Sequence, residues 1–103
     1  MNNFILSGQA LAEGIALSWP RVANAVRYEV RRREPLAPVA VIGTTEKAFH
    51  LDEEAFTDTE YVYRVRAILE GGESLDSLML DITACGPRTA MHTSFGAKEI
   101  TRE

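Results

Sequence analysis

Apolar and polar residues alternate along most of this chain with a period of two. In "IALSW" the residues Ile15, Leu17 and Trp19 share one parity, in "YEV" Tyr28 and Val30 do, and in "EYVYRVRA" Tyr61, Tyr63, Val65 and Ala67 do. Successive side chains of a strand point to opposite faces, so each set predicts a strand with one buried and one exposed side. Turn signals lie between them: "AEG" before Ile15, "PRVAN" after Trp19, "EPLAP" at 34–38, "DEE" at 52–54, "EGGES" at 70–74 and "CGP" at 85–87. The pattern predicts strands near 4–11, 15–19, 27–33, 39–44, 47–51, 60–69 and 77–84. Seven short strands with turns about every ten residues predict an antiparallel sandwich. The two best helix candidates, "QALAE" and "EEAF", are too short to be stable helices by themselves.

Composition narrows the possibilities. With 103 residues, 46% of them hydrophobic, the chain is long enough for one domain with one core and too short for two. A net charge of −4 argues against nucleic acid as the partner, because such binders carry a net basic footprint that displaces counterions from phosphates. Any basic surface must therefore be local. The single cysteine, Cys85, cannot form an internal disulfide, so packing alone must hold the fold. The N-terminus "MNNFILSGQALAEGIALSW" lacks a basic n-region, and Ser7, Gly8, Gln9, Glu13 and Gly14 interrupt its apolar run, so no signal peptide is expected. No apolar run approaches the roughly 20 residues of a membrane helix, and no membrane partner is expected. If Met1 is the natural start, the chain is made in a cytoplasm.

The segment "IALSWPRVANAVRYEVRRRE" followed by "TDTEYVYRVRAILEGGESLDS" resembles a fibronectin type III domain, in particular the bacterial and phage versions. The family's motif positions fall here on Ile15, Leu17, Trp19, Tyr28, Val30, Phe56, Thr59, Tyr61, Tyr63, Val65, Ala67, Gly72, Glu73 and Ser74. The resemblance covers about residues 10 to 84. It implies a seven-stranded, immunoglobulin-like, all-β sandwich over residues 1–85, with 86–103 as a C-terminal extension or arm. It also implies a structural core that includes Trp19, Tyr28, Phe56, Tyr61 and Tyr63. Tyr61 stands where such sandwiches carry a tyrosine corner, so its hydroxyl is expected to bond back to backbone near Phe56. Removing Trp19 is expected to cost about 3–5 kcal/mol through lost burial and a residual cavity. The chain holds neither an Arg-Gly-Asp tripeptide nor a Trp-Ser-x-Trp-Ser signature, so integrin and cytokine recognition have no support.

Candidate chemistry is thin. His50 in "AFHLDEE" and His92 in the tail lack any His-x-His or Cys-x-x-Cys spacing, and a metal site would need them to converge with a third ligand. His50 reads instead as a surface histidine at a strand end. The carboxylates of "DEEAFTDTE" read as a solvated loop, since no cleft-forming framework accompanies them. Ser18 has no Gly-x-Ser-x-Gly elbow, and Cys85 has no adjacent cation to activate it. No catalytic, cofactor or metal residue is assigned, and the chain is not expected to be an enzyme.

Recognition is what remains. If the strands near 27–33 and 60–69 pair, as they do in the fibronectin type III family, their outward positions place Arg31 and Arg33 beside Arg64 and Arg66 on one sheet face, with Glu29 among them. Arginine is enriched at interface hot spots and binds carboxylates with a two-pronged fork. The plainer alternative is a solvated ladder partly neutralised by Glu29 and by Asp81. A second candidate is the loop 70–77, with Leu75 as its exposed apolar residue, and a third is the tail, whose Met91, Phe95 and Ile100 offer apolar docking points. These features predict a structural or adhesive module acting through protein contacts with other subunits or with its own copies. A small virion protein of a phage tail, baseplate or capsid surface fits that description. The alternative is a spacer or accessory domain of a larger secreted carbohydrate-active enzyme, which would place the chain outside the cell and make surface glycan a partner.

Overall fold

The computed structural model describes residues 3–85. Eight strands follow one another: β1 (Ser7–Leu11), β2 (Gly14–Ser18), β3 (Ala25–Arg33), β4 (Ala40–Thr45), β5 (Phe49–Asp52), β6 (Glu60–Leu69), β7 (Ser74–Asp76) and β8 (Leu80–Thr83). They form two antiparallel sheets, β1-β2-β5 and β4-β3-β6, with β7 and then β8 running along the far side of β6. Parity places the core as the alternation predicts. Ile15, Leu17, Tyr28, Val30, Tyr63, Val65 and Ala67 all point between the sheets and have no exposed surface. Burying one such large apolar side chain contributes roughly 1.5–3 kcal/mol. Trp19, just past β2, is buried with its ring edge-on to Tyr28 at 5.3 Å.

The last strand departs from expectation: in place of one strand over 77–84, two short strands form, β7 before that segment and β8 within it, with Ser77 at the break. This serine is fully buried and replaces a rung of the ladder with its side chain. Its hydroxyl accepts the Val65 N–H at 2.9 Å and donates to the Leu78 carbonyl at 2.8 Å, while its own N–H reaches the Val65 carbonyl at 2.8 Å. Pairing is interrupted there, and Leu78 and Met79 turn outward before β8 resumes. The predicted first strand is also shorter: Phe4 bridges in parallel to Ser77 of the other sheet, and pairing with β2 begins only at Ser7.

The tyrosine corner is present, with the Tyr61 hydroxyl accepting the Phe56 N–H at 2.8 Å. Phe56 itself corrects the expected core, since its side chain is 39% exposed and Ala55 occupies the buried position. In a loop no strand parity fixes the direction of a side chain, so apolarity alone does not place it.

Candidate functional site

The outer face of the larger sheet brings the four predicted arginines together. Register makes three cross-strand rows: Thr44, Glu29, Arg66 and Asp76; then Val41, Arg31 and Arg64; then Arg33, Val62 and Asp81. Residues opposite one another in a ladder project to the same side, so guanidinium groups and aliphatic side chains share this surface. A depression of about 210 Å³ opens among them, and all four arginines line it together with Val39, Val62 and Met79. Met79 is there because the Ser77 interruption turns it outward.

Charge on the face is unevenly satisfied. Arg66 holds Asp76 with two prongs, Nε to Oδ1 at 2.7 Å and an Nη to Oδ2 at 3.2 Å. That hydrogen bond holds the Asp76 carboxyl below the usual carboxylate range against the opposing effect of burial, and it raises the Arg66 guanidinium. Asp76, rather than the expected Asp81, is therefore the acid that neutralises the ladder. Arg31 reaches Glu29 at 2.8 Å, and its Nε is buried with no hydrogen-bond partner among the described residues. Arg64 uses Nε on the Ser77 carbonyl at 3.2 Å. Among the described residues, neither Arg33 nor Arg64 has a carboxylate within ion-pair reach.

Asp52 was expected in a solvated acidic loop, but it is buried at the foot of the sandwich. One of its oxygens accepts both the Arg32 guanidinium at 2.9 Å and the Tyr63 hydroxyl at 2.6 Å, and the other accepts the Glu54 N–H at 3.2 Å. Arg32 also lies over the Tyr61 ring at 5.0 Å. Burial pulls the Arg32 pKa down, yet the hydrogen bond and charge of Asp52 outweigh it and the net direction is upward. Burial first, and then the bond to Asp52, push the Tyr63 phenol far above its ordinary range. Sequence reasoning missed this triad. Parity alone points Arg32 inward with Tyr28 and Val30, but no local signal pairs it with an acid twenty residues away.

The other candidates fall elsewhere. Leu75 is half-buried opposite Ala67 and packs on the core, so it is not the exposed tip of the 70–77 loop. His50 is not a bare strand-end residue either. Its ring covers Gly43 at the open edge between β4 and β5, where a Cβ on Gly43 would approach the ring to 2.8 Å. Among the described residues no group of three His, Cys, Asp or Glu side chains is arranged to hold a metal ion. Cys85 is exposed, with its Sγ 3.4 Å from the Ala10 carbonyl oxygen. Met91, Phe95, Ile100 and His92 lie outside the described residues, as does the whole predicted arm.

No family model matches the chain, and no curated protein matches it. Solved structures do. An Fn3-like protein from Clostridium thermocellum is similar, with a TM-score of 0.66, 24% identity, and coverage of 77% of this chain and 86% of that one. Pectate lyase PelI from Erwinia chrysanthemi, in complex with tetragalacturonic acid, gives 0.69 at 18% identity over 78% of this chain. Pectate lyase Pel3 from Pectobacterium carotovorum gives 0.70 at 19% identity over 84% of this chain. The chain spans only 28% of the length of either lyase. Two antiparallel sheets, the tyrosine corner and these likenesses together give the chain a fibronectin type III-like fold.

Proposed function

We propose that this chain is a non-catalytic contact module that joins a larger assembly through the outer face of its larger sheet. The supporting observation is the composition of that face: four arginines share it with the exposed aliphatic side chains of Val39, Val41 and Met79, and two of the arginines have no carboxylate partner among the described residues. Arginine and methionine are enriched at protein interfaces, and a rigid sheet presents them with little ordering entropy to lose. In its finer form the assembly is a virion, where the chain serves as a subunit of a phage tail, baseplate or capsid surface. The segment 86–103 ties it to neighbours, and repeated weak contacts add up to a stable array. Charge reversal of Arg33 and Arg64 together, in protein whose thermal melt shows it folded, removes the chain from its native particle. Unchanged incorporation overturns the proposal.

A second reading is favoured by the two pectate lyases, in which a like-folded region accompanies the rest of a longer chain. Under it the chain is an accessory or spacer domain of a secreted carbohydrate-active enzyme, with the arginine face turned toward a carboxylate-bearing polysaccharide. Retardation in a gel cast with polygalacturonate, but not in one cast with a neutral glucan, supports this reading. Equal mobility in both removes it.

A further inference from the structure

The arginine face is two surfaces rather than one. In the row of Glu29, Arg66 and Asp76 both acids are engaged, since Asp76 takes both prongs of Arg66 and Glu29 takes Arg31 from the adjacent row. A guanidinium already paired with two well-placed oxygens has little to gain from a partner's acid, which would have to displace them. The neighbouring half is open. Arg64, half-buried, is anchored through Nε on the Ser77 carbonyl, and Arg33 is exposed; neither makes an ion pair among the described residues. Between them lie Val62 and Met79, with Val39 beside them and behind them the buried Nε of Arg31, unpartnered among the described residues. We infer that Arg33 and Arg64, with Val39, Val62 and Met79, form a carboxylate-binding site for an extended acidic segment of a partner protein.

Spacing favours an extended segment. Arg31 stands opposite Arg64, so Arg33, two residues further along β3, is the diagonal neighbour of Arg64. Diagonal positions in an antiparallel pair are about 7–8 Å apart. Alternate side chains of an extended peptide recur about every 6.6 Å, so acids at i and i+2 meet the two arginines in step. The intervening side chain points the other way, whereas apolar residues two positions beyond either acid share the acids' side and face the walls of the depression. Charge complementarity therefore selects a partner strand of the form aliphatic-x-acid-x-acid-x-aliphatic, in a molecule whose net charge of −4 disfavours acidic segments away from its basic patches.

This inference rests on the contact-module reading, and one titration separates the two. The probe is a synthetic decapeptide with valine, glutamate, glutamate and valine at alternate positions and serine elsewhere, added to isotope-labelled protein while backbone amide shifts are followed. The expected result is saturable shifts around Val39, Val62, Arg64 and Met79, with little change at 7–18 on the other sheet. The dissociation constant should rise about tenfold in Arg33→Gln and in Arg64→Gln, the scale of one lost charge-assisted hydrogen bond. It should change less than about twofold when Arg66→Gln is combined with Asp76→Asn, a pairing that prevents the freed acid from turning to Arg64. Equal loss in all the variants overturns the division of the face but leaves the contact reading standing. Absence of shifts anywhere on the face overturns the acidic-segment site and leaves the contact reading to the incorporation test. Equal response to the same decapeptide with lysine in place of glutamate overturns the carboxylate chemistry. Response to oligogalacturonate with silence toward the peptide overturns the protein partner and favours the accessory-domain reading.

Discussion

Arg32, Asp52 and Tyr63 form the one charged contact that this small core encloses among the described residues, and its consequences are testable at single side chains. Asp52 accepts from both partners through the same oxygen, so neutralising it leaves a guanidinium and a phenol facing an amide. Asp52→Asn should cost about 3 kcal/mol in urea denaturation. This is the lower end for breaking a buried pair, because Arg32 keeps Glu34 at 3.2 Å and touches solvent. Tyr63 gives a second test with a definite sign. Its pKa is raised in the folded state, so below the unfolded value of about 10 both states hold the proton and the group does not affect stability. Above about pH 10 only the unfolded chain releases it, and stability falls by at most about 1.4 kcal/mol per pH unit from this group. Phenolate absorbance from Tyr63 should therefore appear together with unfolding, and its appearance in a still-folded protein would sink the assignment. At this scale the sequence was legible where parity governs, as for Trp19, Tyr28, Tyr61 and Tyr63. It was silent where two distant polar groups find each other only in space, as Arg32 and Asp52 do.

Elements were legible in order but not in their interruptions, so that eight strands form where seven were expected. A run of alternating residues shows where a strand belongs, yet a buried serine that takes over a backbone rung, as Ser77 does, looks like any exposed serine in a sequence. The consequence reaches the candidate site, since Met79 enters the arginine face only because pairing stops there. Turns carry a similar hidden cost. Leu36, at the tip of the β3–β4 loop, has a φ of 61° and is fully exposed, so a branched side chain occupies a left-handed conformation with no burial to offset it. Leu36→Gly should raise stability by about 1 kcal/mol, the αL penalty for a side chain less the flexibility that glycine adds to the unfolded chain. A drop in melting temperature would mean that this loop packs in a way the exposure contradicts. Gly14 is the opposite case. At φ of 149°, where β2 starts, any Cβ would run into the carbonyl oxygen of Asp52. Gly14→Ala should therefore destabilise by about 3 kcal/mol, through strain added to overpacking.

At the scale of the whole molecule, the described residues 3–85 close the sandwich with ties of their own. Phe4 bridges to Ser77, the Asp58 N–H reaches the Ala84 carbonyl at 2.8 Å, and the Ala84 N–H reaches the Thr59 carbonyl at 3.0 Å. The end of β8 is thus clamped to the start of β6 before the segment 86–103 begins. Deleting 86–103 should shift the melting temperature by less than about 4 °C, equivalent to under 1 kcal/mol for a domain of this size. A larger drop would show that the tail belongs to the core and would end its assignment as an arm. The same truncation sorts the two contact surfaces. If the arginine face carries the partner, the truncated chain still binds, and raising salt weakens binding because exposed charges more than about 8–10 Å apart are screened at physiological ionic strength. If the arm carries it, truncation removes binding at every salt concentration while the melt is unchanged. A truncated domain that melts normally and keeps salt-sensitive binding would place recognition on Arg33 and Arg64 and leave the arm the lesser role of tether.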